Sequence, residues 1–182
     1  MIPIIGGNTD ETYGGCEMTE RKELHPVTAA ILFTLLVPVP MAVGIPFLIT
    51  RWRMEAALTG FEPGRWLGAL MIAVGAASLL SAIAWFAHEG VKPYPPIERV
   101  ITTGPYAYTR NPMYGGVVLV MIGQGLLFGS LGAVIYGVGW LIAFYVFEWT
   151  IDDPFITKRM GQTYVDYCND VPGWIPRRPR RR

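Results

Sequence analysis

Residues 113–148 read MYGGVVLVMIGQGLLFGSLGAVIYGVGWLIAFYVFE, and the only charged side chain among them is the last, Glu148. At about 1.5 Å of helical rise per residue the run is long enough to cross a hydrocarbon layer about 30 Å thick twice. It reads as two helices, Met113 to about Gly129 and Leu131 to about Glu148, joined almost without a linker into a tight hairpin. Gly125 and Gly129, four apart, offer that hairpin a small-xxx-small contact. Gly123, Gly125 and Gly129 do not make a dinucleotide-binding fingerprint, because the spacing is wrong and no strand precedes them.

Two further apolar runs lie upstream, each bounded by charge. Trp66 to Ala87 places Ala69, Ala73, Ala77 and Ser81 at every fourth residue, a stripe of small side chains expected to let another helix approach closely. Pro26 to Thr50 ends at Arg51, Trp52 and Arg53, where cations and an aromatic ring suit a membrane interface. Pro38, Pro40 and Pro46 are expected to kink this helix, with neighbours satisfying the freed carbonyls. The fold class is therefore all-α integral membrane, with about four transmembrane helices, a C-terminal helical hairpin and a cytoplasmic C-terminal segment.

The composition agrees. Of 182 residues 52% are hydrophobic, and the mean hydropathy of +0.34 exceeds that of ordinary soluble domains. Charged residues, 16% of the chain, gather at the start, in the connections and at the tail, which is how spans and loops divide the sequence. A net charge of +1 gives nucleic-acid binding no support. Residues 1–25, with Asp10, Glu11, Glu17 and Glu20 and no apolar core, read as a flexible leader. Residues 26–176 read as a single transmembrane domain and 177–182 as a basic tail. Arg177, Arg178 and Arg180 to Arg182 put the tail in the cytoplasm by the positive-inside tendency, although Arg51, Arg53 and Arg65 then lie opposite. Cys16, Cys168, His25 and His88 match neither a disulfide framework nor a metal-ligand spacing, so no metal is expected and each cysteine reads as a small hydrophobe.

If the two C-terminal spans form a hairpin, the polar stretches on either side of them, 89–111 and 150–182, emerge on one face of the membrane. Two segments there place polar groups against apolar helix ends. One is Gly104-Pro105-Tyr106-Ala107-Tyr108-Thr109-Arg110-Asn111-Pro112-Met113-Tyr114-Gly115; the other runs from Glu148 through Asp152-Asp153-Pro154, Gly161, Tyr164 and Tyr167 to Val171-Pro172-Gly173-Trp174. Asn111-Pro112 and Asp153-Pro154 each suit a helix start, an acceptor at the N-cap and proline at the first helical position. Asp153 would then open a short helix along the membrane surface, and a ligand role stands equally open for both residues. Tyr106, Tyr108 and Tyr164 read individually as interfacial anchors. Glu148 and Asp152, four apart, share one helix face at the end of an apolar span, where a carboxylate needs a partner. Arg110 across the hairpin is the candidate, as a structural ion pair or as part of a site.

Together these two segments resemble the isoprenylcysteine carboxyl methyltransferase and phospholipid methyltransferase superfamily of small integral membrane enzymes. That superfamily shows Gly-Pro-Tyr, then Arg-His-Pro-x-Tyr, a helical hairpin, a Glu-Glu pair and a Gly-x-x-Tyr-x-x-Tyr segment ending in Val-Pro. Here Gly104-Pro105-Tyr106, Arg110-Asn111-Pro112-Met113-Tyr114, Asp152-Asp153, Gly161, Tyr164, Tyr167 and Val171-Pro172 occupy those places. Asn111 replaces histidine, Asp152-Asp153 replaces the glutamates, and Asp170 stands where relatives often have arginine. The resemblance implies an S-adenosylmethionine-dependent transfer of methyl to a lipidic or small hydrophobic acceptor bearing a carboxyl, amine or thiol. The site would face the cytoplasm, with S-adenosylhomocysteine as product and membrane lipids as partners.

It also implies cofactor contacts from Tyr106, Arg110, Asn111, Tyr114, Asp152 and Asp153, and substrate contacts from Tyr164 and Tyr167. Asp152 and Asp153 suit the ribose diol and ammonium, and Arg110 the carboxylate. Methyl transfer asks mainly for alignment and exclusion of water. A base is needed only for a protonated amine or thiol, and Glu148 is the candidate, with Arg110 beside it. The substitutions at Asn111 and Asp170 also admit a non-catalytic membrane scaffold or small transporter that retains the fold. A transporter is expected to carry ionisable groups near the bilayer midplane, whereas here they sit at helix ends.

Overall fold

The computed structural model describes residues 25–60, 62–91 and 99–177. The leader as far as residue 24, with Cys16, and the basic tail beyond Arg177 lie outside the described residues. The elements are α1 (Pro26–Leu36), a π-helical turn (Pro40–Gly44), α2 (Ile45–Thr50), α3 (Pro63–His88), α4 (Pro112–Phe128), α5 (Leu131–Phe147), a second π-helical turn (Glu148–Asp152), α6 (Asp153–Met160) and α7 (Gln162–Asp170). Ile31–Thr50, Pro63–His88 and Leu131–Met160 are long and apolar enough to cross a membrane, whereas Pro112–Phe128 is apolar but shorter. Leu36, Leu70, Ile135 and Ile142 point outward, a surface that suits lipid rather than water as the solvent.

Most boundaries fall within a few residues of the sequence reading. At Glu148 they do not: the helix passes through its π turn straight into α6, so Leu131–Met160 is one helical run rather than a span followed by a separate surface helix. Asp153 has ordinary helical backbone there, so it is not an N-cap.

α3 packs mainly on α4, through glycines that meet in reciprocal pairs. A Cβ on Gly68 would lie 2.6 Å from the carbonyl oxygen of Gly123, and one on Gly123 would lie 2.7 Å from that of Gly68. Gly75 and Gly116 repeat the arrangement at 2.7 and 2.8 Å. Without a hydrophobic drive between helices in lipid, such close backbone approach is what holds them together. The stripe expected to do this does not: Ala73, Ala77 and Ser81 are exposed. Steps of four advance about 40° round a helix each time, so Ala69 to Ser81 wraps some 120°, whereas steps of seven drift only about 20°. Gly125 packs on Val134 of α5 as expected, but Gly129 instead ends α4 with a left-handed φ of 76°.

The prolines of the first span free carbonyls, and neighbouring helices take them up. Pro46 has no N–H to give Ala42, whose carbonyl instead accepts from Gln124 Nε2 of α4. The π turn sends the Ile45 N–H to Pro40, leaving the Met41 carbonyl to accept from Tyr136 Oη at 3.3 Å. Gln124→Leu is therefore expected to lower stability by about 1–3 kcal/mol, the cost of stranding a buried carbonyl. Thermal unfolding in detergent reads this, and Tyr136→Phe should cost less because its bond is longer.

At one end of the bundle the 51–60 connection docks on the hairpin tip: Glu55 N–H donates to Phe128 at 3.1 Å and Arg65 Nη1 to Leu127 at 2.9 Å. The polar segments of interest meet at the other end.

Candidate functional site

Gly104 takes φ +60°, and a Cβ there would strike the Trp85 ring at 2.3 Å. Only glycine makes this turn over the indole without strain. The 3₁₀ turn Gly104–Ala107 that follows sends Tyr106 inward, its ring edge-on to Phe86 at 5.5 Å and its carbonyl accepting from Tyr167 Oη at 2.7 Å. The next residues are tied to the C-terminal segment. Arg110 N–H donates to Pro172 at 2.9 Å, Asn111 N–H to Gly173 at 3.2 Å and Arg177 N–H to Tyr108 at 3.0 Å, while Thr109 Oγ1 donates to Gly173 at 2.7 Å.

The acidic residues arrive on the second π turn, where the Asp153 N–H bonds the Glu148 carbonyl. In α-helical winding Asp153 would point about 140° away from Glu148. The wider turn brings the two back to one side, as π turns at functional sites often do. Both then face Arg110, and Asp152 faces Tyr114.

Arg110 is the centre. Its Nη1 donates to Asp153 Oδ1 at 2.8 Å and also reaches Cys168 Sγ at 3.0 Å and Tyr164 Oη at 3.3 Å. Nη2 lies 3.4 Å from Glu148 Oε1, and Glu148 Oε2 accepts from Trp174 Nε1. Tyr164 Oη donates to Asp153, and Tyr114 Oη to Asp152 Oδ2 at 2.8 Å. Burial works against the charge on Arg110, but the hydrogen bond and charge of Asp153 outweigh it and raise its pKa above the usual range. Burial, reinforced by the bond to Asp153, raises the Tyr164 phenol, and burial raises Tyr167 despite Arg110. Burial likewise raises the Cys168 thiol although Arg110 opposes it, so the sulfur stays neutral.

A cavity of about 210 Å³ lies over this cluster, well over ten times the roughly 15 Å³ that one water needs on the same measure. Tyr106, Arg110, Asn111, Tyr114, Glu148, Asp152, Asp153, Tyr164 and Tyr167 all line it, so every residue expected to touch cofactor or substrate or to act as a base meets in one place. Phe33, Phe86, Ile101, Met113 and Ile156 supply an apolar side. Among the described residues Arg110 Nε and Tyr106 Oη are buried without a hydrogen bond, and Asn111 Nδ2, close to Glu148, has none of sound geometry. Asn111 sits at the N-cap of α4 yet its side chain makes no cap bond. The capping alternative therefore fails for Asn111 as it does for Asp153.

Other expectations need correction. Tyr106 and Tyr164 are buried, at 8% and 5% exposure, and are not interfacial anchors; Tyr108, at 48%, is exposed. Cys168 is no mere small hydrophobe, since its sulfur is a partner of Arg110. Gly173 and Trp174 have no expected role from the sequence beyond ending the motif. A Cβ on Gly173 would come within 2.8 Å of Glu148 Oε1 and 3.2 Å of Arg110 Nη2, so its lack of a side chain makes room for the ion pair. No local signal in the sequence marks this; the contact spans more than sixty residues between Arg110 and Gly173.

Comparison with known proteins gives two matches. The family model for phospholipid methyltransferase matches residues 63–163, more than half of the chain. The protein-S-isoprenylcysteine O-methyltransferase of Schizosaccharomyces pombe is 29% identical over 77 residues, 42% of this chain and 33% of the relative. The aligned stretch thus spans about a third of that relative's length. No solved structure matches.

Proposed function

The chain belongs to the phospholipid methyltransferase family, and on that premise we propose that it takes a methyl group from S-adenosylmethionine and delivers it to a lipidic or small hydrophobic acceptor. One observation carries the reading: Arg110, before α4, and Asp152 and Asp153, after α5, converge on one cavity, with Arg110 bonded to Asp153 at 2.8 Å.

The residues present fit the donor. It carries a carboxylate, an ammonium and a ribose diol, which call for a cation and for anionic acceptors. Arg110 keeps an unpartnered Nε, Asn111 keeps its Nδ2, and Asp152 and Asp153 supply carboxylate oxygens. When bound, the donor supplies an electrophilic methyl on a sulfonium. The chain's own part is alignment and dryness. Tyr114 orients Asp152, and the Tyr114 ring is itself stacked on Phe144 at 4.6 Å. Tyr164 and Tyr167 use their hydroxyls to brace Asp153 and the Tyr106 carbonyl, so they contribute ring walls rather than hydroxyl contacts to the acceptor. Glu148, held by Trp174 and Arg110, braces the C-terminal segment and acts as a base only where the acceptor arrives protonated.

α4, at 17 residues, is about 26 Å long and just sufficient as a fourth span. Four spans with the basic tail in the cytoplasm put the cavity on the cytoplasmic face. A scaffold would have no use for unpartnered polar atoms around a cavity, each of which costs stability.

The test is incubation of membranes carrying the protein with methyl-labelled S-adenosylmethionine and mixed membrane lipids. Label is expected in the organic-solvent extract, reduced at least about tenfold by Asp153→Asn, which weakens a charge-assisted bond to Arg110. Extracts no more labelled than those from membranes lacking the protein would refute the assignment.

A further inference from the structure

Tyr106 offers the cavity a polar group that the donor site does not use. The residue is 8% exposed and lines the cavity, and its hydroxyl is buried and unpartnered among the described residues. Phenylalanine would fill the same space without the cost of a stranded hydroxyl, so the folded chain alone gives this oxygen nothing to do. Its position is nonetheless fixed closely: the ring packs among Ala82, Val91, Ile101 and Met113 and edge-on to Phe86, and Tyr167 holds its carbonyl. A group set so firmly and left without a partner is pre-organised for a ligand.

Which ligand follows from the surroundings. The donor's charges are matched by Arg110, Asp152 and Asp153, whereas Tyr106 is a neutral phenol among hydrocarbon side chains. Burial, with Tyr167 and Tyr114 nearby, raises its pKa, so it is a hydrogen-bond donor at physiological pH and not a base. We propose that the Tyr106 hydroxyl recognises the methyl acceptor. It donates a hydrogen bond to an oxygen or unprotonated nitrogen in the head of an amphiphile, whose hydrocarbon lies against Phe33, Phe86, Ile101 and Met113. This rests on the cavity being the methyl-transfer site, and it moves Tyr106 from the donor set, where the family resemblance had put it, to the acceptor set.

Tyr106→Phe, compared with wild type in detergent, tests it through three readings. Without ligand the variant should unfold about 2 °C or more above wild type, because a stranded hydroxyl has gone. S-Adenosylhomocysteine should bind both proteins equally by calorimetry. Micelles of total membrane lipid extract should raise the unfolding temperature of wild type more than that of the variant, and KM for labelling that extract should rise about three- to tenfold, the weight of one hydrogen bond. A variant less stable than wild type, a weakened S-adenosylhomocysteine affinity, or a lipid response that is equal in the two proteins or absent from wild type would each overturn the proposal. Failure of wild type to bind S-adenosylhomocysteine at all would instead strike the methyltransferase reading, and the unfolding and lipid readings would still decide for or against Tyr106.

Discussion

Arg110→Ala is expected to bind S-adenosylhomocysteine at least about thirtyfold more weakly than wild type and to lose about 3 kcal/mol of stability. Among the described residues the guanidinium is the one cation beside the three carboxylates that line the cavity, apart from Arg99, which is engaged with Glu89 at 2.8 Å. Removing it leaves Glu148, with a side chain 7% exposed, and Asp153, at 27%, without the cation they share. The stability figure is the low end for a broken buried pair because Asp153 keeps some solvent. Arg110→Lys should recover little of either loss. An ammonium is a point charge, and it cannot reach Asp153, Cys168 and Glu148 at once as the planar fork does. Calorimetry and thermal unfolding on the same preparations read both effects; a lysine variant equal to wild type would show that charge alone, and not the fork, is what the site needs.

Gly75→Leu is expected to be among the most damaging single changes outside the site. Its Cβ alone would lie 2.7 Å from the Gly116 carbonyl and 2.8 Å from the Leu119 Cβ, so α3 and α4 must separate along their length. Overpacking of a rigid interface typically costs about 1–3 kcal/mol, and here the nearest contact is a backbone carbonyl, which cannot rotate aside. Loss of folded protein from detergent extracts is the expected outcome. Ala73→Leu, two residues away on the exposed stripe, should fold and melt like wild type. The pair separates the glycine interface from mere intolerance of bulk in α3, since a stripe that packed as the sequence suggests would reverse the two results.

That contrast marks how far the sequence could be read. Long apolar runs bounded by charge announce themselves, so α3, α4 and the start of α5 were legible to within about three residues, and with them the hairpin that brings residues 110 and 153 together. The packing face of α3 was not, because both glycines and alanines are small and only the helical period tells them apart. The signal was nevertheless present: Gly68 and Gly75 are seven apart, and so are Gly116 and Gly123, matching registers for two antiparallel helices. The convergence of the acids was legible from the hairpin, but its detail was not. Spacing of four between Glu148 and Asp152 assumed α-helical winding, and the π turn instead gives Glu148 and Asp153 to Arg110 and Asp152 to Tyr114. The family resemblance supplied most of the polar cavity residues, and the need of a carboxylate for a partner supplied Glu148. It could not supply Cys168, Gly173 or Trp174, whose roles arise from where the C-terminal segment folds back.

The central claim is that this arginine and these aspartates hold a charged nucleoside. Calorimetric titration of S-adenosylhomocysteine into purified wild-type protein, with Asp152→Asn and Asp153→Asn beside it, tests that claim most directly. Saturable binding at one site per chain, weakened in both variants, is the result predicted. No saturable heat with wild type, or equal affinity in all three proteins, would contradict it.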